Sequence, residues 1–476
     1  MSHASSPLVI SEAVAFRRIG QAVVVILTDR GSMLFLNETA AAIFEMLADG
    51  VVGQEAVQEI CEQYDIGHDV ALRDLEITYA SFRTLGLIEH NGDPAEALAL
   101  PMESKTDPRK EVKKYCSEHS LPLQAFIEIT TVCNLRCKHC YIPDAGAIGP
   151  LKDPLNISEL RDLLQQLREL SCLEVTLTGG EPLMARHLIE TCAYARQLGF
   201  SVILKTNATL LTEAFVAELR RLHVTEVQVS LYSMDAATHD VFVRQPGSHA
   251  RTVAGLRLCH ALGQRCRISC VVTRSNYQQL DGLKEFATSI DAPIGFDLLV
   301  TRRLDGTDDP LIERLTEDDL LWLDQKGVMS DIIFEGSTNI AGLGDQNQLL
   351  VSYPIDDSES PICGAANTMV AINVNGDVRP CIAFPYRLGN IREQPLREIL
   401  SDRNEPTRQI RSYRNRSFTE CVGCELIPAC PRCMATTYQE TGNPVGKADA
   451  ICRIAQYHRK YGGPPSTLEA DGGGTV

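Results

Sequence analysis

Nowhere in the 476-residue sequence does an apolar run approach the roughly 20 residues that a membrane-spanning helix needs. The opening MSHASSPLVI lacks the basic flank and long apolar core of a secretory signal. Both absences predict a cytoplasmic protein with no membrane partner. Positive charge is scarce as well: 45 Lys and Arg stand against 62 Asp and Glu, a formal net charge of −17. That balance argues against a broad electrostatic grip on nucleic acid, so no nucleic-acid partner is expected. No internal repeat is visible, and the only low-complexity stretch is the short tail DGGGTV. Hydrophobic residues at 44% and charged residues at 22% are those of a soluble globular chain, long enough for two or three domains.

Cysteine, in contrast, is plentiful, with 17 in all. A disulfide framework is not expected in a reducing cytoplasm, so clustered cysteines read first as metal ligands. Three lie between 133 and 140, and seven lie between 363 and 452. The other seven, Cys172, Cys192 and Cys259 among them, are scattered in apolar stretches and read as small buried core residues.

Three regions emerge along the chain. Residues 1–92 open with the β-rich runs AVAFRRIG, QAVVVILTD and SMLFLN, the last two joined at Asp29-Arg30-Gly31-Ser32 as in a hairpin. Helical spacing follows at Ala40, Ile43, Phe44 and Leu47, then in VGQEAVQEICEQY and VALRDLEITYASFRTLG. The result is an α+β domain of winged-helix proportions. Residues 93–120 are polar and charged and read as a linker, part of it helical. From Phe126 the rhythm becomes strand, helix, strand, helix. The runs FIEITT, EVTLTGG, SVILKTN, EVQVSLYS, RCRISCVVT and IGFDLLV alternate with amphipathic helices such as ISELRDLLQQLREL. Six such units in 121–305 predict an α/β fold with a parallel sheet curled into a partial (β/α)6 barrel. Residues 306–476 hold a bridging segment and the cysteine-rich end.

Cys133, Cys137 and Cys140 have the spacing C-x3-C-x2-C directly after the first barrel strand, where such folds place active sites. Three thiolates so spaced can ligate three irons of a cubane and leave the fourth open. A structural zinc ion would want a fourth protein ligand, for which His139 lies awkwardly between two cysteines. Thr178-Gly179-Gly180-Glu181-Pro182 ends the second strand. Its glycines would let the backbone approach a ligand closely, and its carboxylate could meet a cation.

This combination resembles the radical S-adenosylmethionine (SAM) enzymes. The resemblance implies a [4Fe–4S] cluster on Cys133, Cys137 and Cys140 whose open iron chelates SAM. One electron then cleaves SAM to methionine and a 5′-deoxyadenosyl radical. It also carries SAM contacts over to Gly179, Gly180, Glu181 and Pro182. Asn207 of Lys205-Thr206-Asn207, Ser230 of Ser230-Leu231-Tyr232-Ser233, and Arg244 follow with them. The catalytic acid or base is not identifiable, and Arg274 at the fifth strand end reads as a surface charge. A reduced flavodoxin or ferredoxin-type donor is the implied electron source.

The later cysteines read C-x17-C and then C-x2-C-x5-C-x2-C-x18-C. An Asn-Gly turn at Val374-Asn375-Gly376-Asp377 carries Cys381 back toward Cys363. By themselves Cys421, Cys424, Cys430 and Cys433 could also form a zinc ribbon. The whole pattern resembles the SPASM extension of peptide-modifying radical SAM enzymes, which houses two auxiliary [4Fe–4S] clusters. The resemblance assigns Cys363, Cys381 and Cys433 to the first and Cys421, Cys424, Cys430 and Cys452 to the second, three clusters in all. Fuller versions carry another cysteine before Cys363, where this chain has Asp356 and Asp357. The first auxiliary iron is thus open, or filled by an aspartate or an outside ligand.

Residues 1–92 resemble the peptide chaperone of the pyrroloquinoline quinone pathway and its relatives, the RiPP recognition elements. Phe35-Leu36-Asn37-Glu38-Thr39-Ala40, Ile43-Phe44 and Leu85-Gly86-Leu87-Ile88 carry the likeness. It implies that a precursor peptide adds a strand at residues 33–37, beside a helix near 70–84. With five Arg, no Lys and thirteen Asp plus Glu, these residues favour a basic leader. A winged-helix docking domain is the alternative. The expected function is a radical SAM maturase installing a cross-link, a thioether foremost, in a ribosomally made peptide. Action on a small molecule such as a tetrapyrrole, or a non-catalytic iron–sulfur or zinc scaffold, stands as the alternative.

Overall fold

Val23, Val25 and Leu27 point one way along a single strand and Val24 and Ile26 the other, and both sets are buried. A strand covered on both faces reads as an unbroken apolar run, which is why AVVVIL has no polar residue. The computed structural model describes residues 8–89, 115–143, 154–326, 358–427 and 430–461. In it this strand centres a three-stranded antiparallel sheet of β1 (Val14–Ile19), β2 (Ala22–Leu27) and β3 (Ser32–Leu36). Helices α1 (Glu38–Ala48), α2 (Gln54–Tyr64) and α3 (His68–Leu85) cover one face. Asn37 caps α1 by accepting the Ala40 N–H at 2.9 Å. Phe16, Phe44 and Phe82 meet edge to face in this core, at 5.1 and 5.5 Å between centroids.

The other face of that sheet is pressed onto the rest of the molecule. Ala15, Ile19, Val24 and Ile26 share an apolar cluster with Cys116, Leu123 and Leu173. Arg17 crosses the junction and donates to the carbonyls of Cys172 (3.0 Å), Leu198 (2.8 Å) and Gly199 (3.2 Å). Its guanidinium also lies over the Phe200 ring, 4.6 Å from the centroid. Of the stretch read as a linker, residues 90–114 lie outside the described residues. Residues 115–119 are helical, and Cys116 is buried in the junction.

Six parallel strands follow: β4 (Gln124–Thr130), β5 (Glu174–Gly179), β6 (Ser201–Thr206), β7 (Glu226–Ser230), β8 (Cys266–Val271) and β9 (Ile294–Asp297). The helices between them are α4 (Ile157–Glu169), α5 (Leu188–Gln197), α6 (Glu213–Arg221), α7 (Ala236–Val243), α8 (Ser248–Ala261) and α9 (Leu280–Ser289). This is the expected partial barrel. α4 shows how the sequence specifies it. Asn156 accepts from Ser158 and Glu159 N–H groups, Glu159 returns a bond to Asn156 N, and Leu160, Leu163, Leu164 and Leu167 form the buried stripe. Val175, Leu177, Val202, Leu204, Val227, Val229 and Ile268 belong to the same core under the helices. The alternate positions Glu128, Thr176, Lys205, Gln228 and Arg267 fall on the concave face, by the two-residue period of a strand.

The sheet is larger than six strands. β10 (Met369–Ile372) from the cysteine-rich extension pairs in parallel with β4, and β11 (Asp377–Arg379) and β12 (Gly389–Asn390) continue it antiparallel. Among the described residues the order is β12-β11-β10-β4-β5-β6-β7-β8-β9. One sheet therefore runs across the boundary placed near residue 305. No described helix is long and apolar enough to cross a membrane.

Candidate functional site

The loop after β4 is pinned from three sides. Gly180 N–H donates to Thr130 O (2.7 Å) and Glu181 N–H to Val132 O (2.8 Å). Arg136 and Lys138 N–H donate to Val243 and Phe242 carbonyls at the end of α7, at 3.0 and 3.1 Å. Leu135 is buried in the barrel core and anchors the middle of the loop. The three cysteines are thereby gathered. Burial pushes the Cys137 thiol well above its usual range, and Cys140 and Cys133 add to this. Cys133 is raised too, by burial, with the Leu135 N–H and the Asn207 amide opposing. Thiolates that disfavour one another need a cationic core between them, which an iron cluster supplies. His139 is not offered as a ligand: it stacks on Phe242 at 5.0 Å and meets Tyr232 at 4.9 Å. Burial lowers its pKa to about 4.

The Gly-Gly-Glu-Pro segment sits beside the cysteines, but for another reason than the sequence suggested. A Cβ at Gly179, where φ is +132°, would lie 2.1 Å from Thr130 O, and one at Gly180 would lie 2.4 Å from Val132 O. The glycines admit the cysteine loop itself. Glu181, expected to meet a cation, is fully buried and spends its carboxylate inside the protein. It accepts from Thr206 Oγ1 (2.6 Å), Asn207 N (2.7 Å) and Leu183 N (3.0 Å). Pro182 opens a 3-10 turn behind it.

Asn207 joins the same network. Its amide donates to Asn134 Oδ1 at 2.9 Å and reaches Cys133 Sγ at 4.0 Å. Ser230 ends β7 and hydrogen-bonds Tyr232, whose hydroxyl in turn favours the Cys137 thiolate. Arg244 caps α7 at a left-handed φ of 55°, next to the residues that hold the loop, and is exposed. Arg274 pairs with Asp319 at 3.5 Å and stays half exposed, a surface charge as expected.

The later cysteines separate into two groups. The turn at Asn373–Asp377, with Asn373 Oδ1 accepting from Asn375 and Asp377 N–H and Gly376 at φ +83°, returns the chain so that Cys381 meets Cys363. Burial pushes Cys363 and Cys381 both up to about 12, and Cys433 contributes to each. Cys433 begins the helix Met434–Thr441, its sulfur accepting from Thr436 N at 3.5 Å. A helix N-terminus suits a thiolate. Cys421, Cys424, Cys430 and Cys452 instead line one pocket with Phe418, Arg432 and Lys447. Burial pushes Cys430 to about 12, with Cys452, Cys421 and Cys424 adding to it. The zinc-ribbon quartet is therefore not formed, because Cys433 sides with Cys363 and Cys381. Among the described residues, no three His, Cys, Asp or Glu groups are placed to hold a single metal ion. Sets of three and four thiols are the donor sets that an iron–sulfur cluster takes. Asp356 and Asp357 lie outside the described residues.

Three family descriptions match the chain: the radical SAM superfamily over residues 127–287, an iron–sulfur cluster-binding domain (SPASM) over 363–434, and coenzyme PQQ synthesis protein D over 22–88. The mycofactocin maturase MftC of Mycolicibacterium smegmatis is 30% identical over 339 residues, 68% of this chain and 81% of that protein. The chain belongs to the radical SAM superfamily. An AdoMet-dependent heme synthase of Methanosarcina barkeri is 28% identical over 66% of this radical SAM protein and 92% of its own length. Streptococcus suis SuiB bound to precursor peptide SuiA shares the fold, with a TM-score of 0.58 and 20% identity, covering 94% of this chain and 100% of that one.

Three groups near the cysteines escaped the sequence reading. Glu128 and Arg379 form a buried ion pair, with the partly buried Tyr141 nearby. An acidic residue at an inward position of FIEITT was the available signal. Of the seven scattered cysteines, six are buried and Cys61 is partly exposed on α2.

Proposed function

We propose that this radical SAM protein modifies a ribosomally made precursor peptide, forming a cross-link, with a thioether from a core cysteine favoured. The observation that carries the reading is a PqqD-type domain packed onto the barrel of the same chain, its β3 at the edge of the sheet. Along Ser32–Phe35 each residue stays partly exposed, so a fourth strand has a template. Cys133, Cys137 and Cys140 would hold the cluster that binds SAM, and Cys363, Cys381, Cys433 and Cys421, Cys424, Cys430, Cys452 the two auxiliary ones. When bound, cluster and SAM supply a hydrogen-abstracting 5′-deoxyadenosyl radical; the protein supplies position and shielding. Asn207 and Asn134 fix the first cysteine, the glycine segment presents backbone, and Glu181 keeps the β6 end in register. The leader held at residues 22–88 raises the local concentration of the attached core. A reduced flavodoxin or ferredoxin-type protein is the proposed electron donor.

The test uses protein purified without oxygen and reconstituted with iron and sulfide. Dithionite, SAM and a basic leader-bearing peptide are added, and 5′-deoxyadenosine and peptide mass are followed, with Cys137→Ala as control. Product that vanishes in the control, with a mass loss of about two hydrogens per cross-link, supports the reading. Full iron loading without 5′-deoxyadenosine sinks it. The kinship to heme synthases favours one second reading, a tetrapyrrole substrate. It predicts turnover with a porphyrin and no effect of peptide.

A further inference from the structure

A buried ion pair joins the cysteine-rich extension to the barrel. Arg379 Nη2 donates to Glu128 Oε1 at 2.6 Å, and each side chain is only 6% exposed. The register explains the reach. Ala371 of β10 pairs with Arg379 on one side and with Phe126 on the other, and Glu128 is two residues beyond Phe126 on the same face. The small Ala371 side chain leaves the guanidinium room to cross the strand. A buried ion pair is weak support for stability, since desolvation offsets its attraction, so its presence asks for another role.

Two further observations supply one. Arg379 Nε is buried and has no hydrogen-bond partner among the described residues, so a donor remains unspent. Cys381 lies two residues after Arg379, so the guanidinium stands close in the chain to one sulfur of that set.

We propose that Arg379 is a positioning residue for the first auxiliary centre, held by Glu128 so that a fixed positive charge and an N–H donor face the cluster on Cys363, Cys381 and Cys433. The proposal rests on the reading of those cysteines as cluster ligands. A cluster that takes up one electron gains one negative charge. A neighbouring cation and an N–H···S bond favour that reduced form and raise the potential. Glu128 sets both the place of the charge and, by partly cancelling it, the size of the effect.

The experiment is an anaerobic redox titration of the reconstituted full chain, followed by electron paramagnetic resonance. The SAM-binding cluster is distinguished by its change on adding SAM. Arg379→Met should lower one auxiliary midpoint by a tenfold or greater change in reduced-to-oxidised ratio, about 59 mV for one electron. Arg379→Lys should stay within about threefold of wild type. Glu128→Gln, which keeps an acceptor but removes the opposing charge, should move the same midpoint upward. Shifts of opposite sign cannot come from loosened packing, and the last two variants keep the test alive if Arg379→Met does not fold. Unchanged midpoints, or a fall in Glu128→Gln, overturn the proposal. Cys381→Ala is measured alongside: if it loses no iron and no signal, the cluster reading fails rather than the role of Arg379.

Discussion

The Thr206 hydroxyl donates to the Glu181 carboxylate at 2.6 Å, tying the end of β6 to the turn after β5. Glu181 is braced by two backbone N–H groups as well, and Asn207, one residue on from Thr206, carries the link to Asn134 and Cys133. The conspicuous acid of the motif thus braces protein, and the turn after β5 and the end of β6 are held in shape through it.

Glu181→Gln keeps the volume but turns an amide NH2 toward three existing donors. One buried donor then loses its acceptor, at a cost of about 1–3 kcal/mol. Urea unfolding should show that loss, and equilibrium dialysis should show SAM binding about tenfold weaker. An unfolding midpoint equal to wild type would contradict the bracing role.

Glu174, at the start of β5, gives a pH-dependent counterpart. Burial, followed by the nearby Glu226 charge, lifts its carboxyl to about 7. A carboxyl raised in the fold retains a proton that the unfolded chain has released. Stability therefore falls as pH rises from about 4.5 to about 7 and remains lower above that. Gln124 donates to Oε1 at 2.7 Å, and Ser201 Oγ lies 3.3 Å from Oε2, so a glutamine can serve both. Glu174→Gln should raise thermal stability at pH 8 by about 1–3 kcal/mol and leave it unchanged near pH 4.5. A gain of equal size at both values would show that charge is not the cause.

Much of this was legible in the sequence because it depends on local pattern. AVVVIL, ISELRDLLQQLREL and the six alternating units follow directly from burial periodicity, and the cysteine spacing marks the loop after β4. Relationships set by long-range pairing were not legible. β10 joins β4 across more than two hundred residues, and no periodicity announces that; the Arg379–Glu128 pair depends on it. The same limit explains Gly179 and Gly180. Their need for small size was readable, but the occupant of the space, the Thr130–Val132 backbone, appears only when both strand ends are placed. Cys430 and Cys433, with two residues between them in a ribbon-like spacing, look like partners until the helix at Met434 turns one toward Cys363.

That division of cysteines makes a prediction by metal content. Cys433→Ala should empty the first auxiliary site and spare the second, and Cys452→Ala should do the reverse. Each should lower iron from about twelve to about eight per chain. Mössbauer or resonance spectra of the two variants should then be complementary. A zinc ribbon on Cys421, Cys424, Cys430 and Cys433 predicts instead that Cys433→Ala and Cys430→Ala look alike and that Cys452→Ala changes nothing.

The placement of the two ends of the barrel constrains any peptide substrate. The N-terminal sheet packs against Leu123 and Leu173, which precede β4 and β5, whereas Cys133 follows β4 at its far end. β4 spans seven residues, about 23 Å at the rise of a strand. An extended chain covers at most about 3.3–3.6 Å per residue, so roughly seven residues are the least that must separate the docked leader strand from the modified site. Peptides with shorter spacers should bind residues 22–88 with unchanged affinity and yet be modified at least tenfold more slowly. The junction itself supplies the control. Arg17→Ala removes three hydrogen bonds to the barrel side, which loosens the docking by about 2–4 kcal/mol and lets the leader domain shift toward the barrel rim. In that variant the penalty on short spacers should shrink while long-spacer peptides slow. If modification proves indifferent to spacer length in both proteins, the leader does not dock on the β3 edge at the base of the barrel.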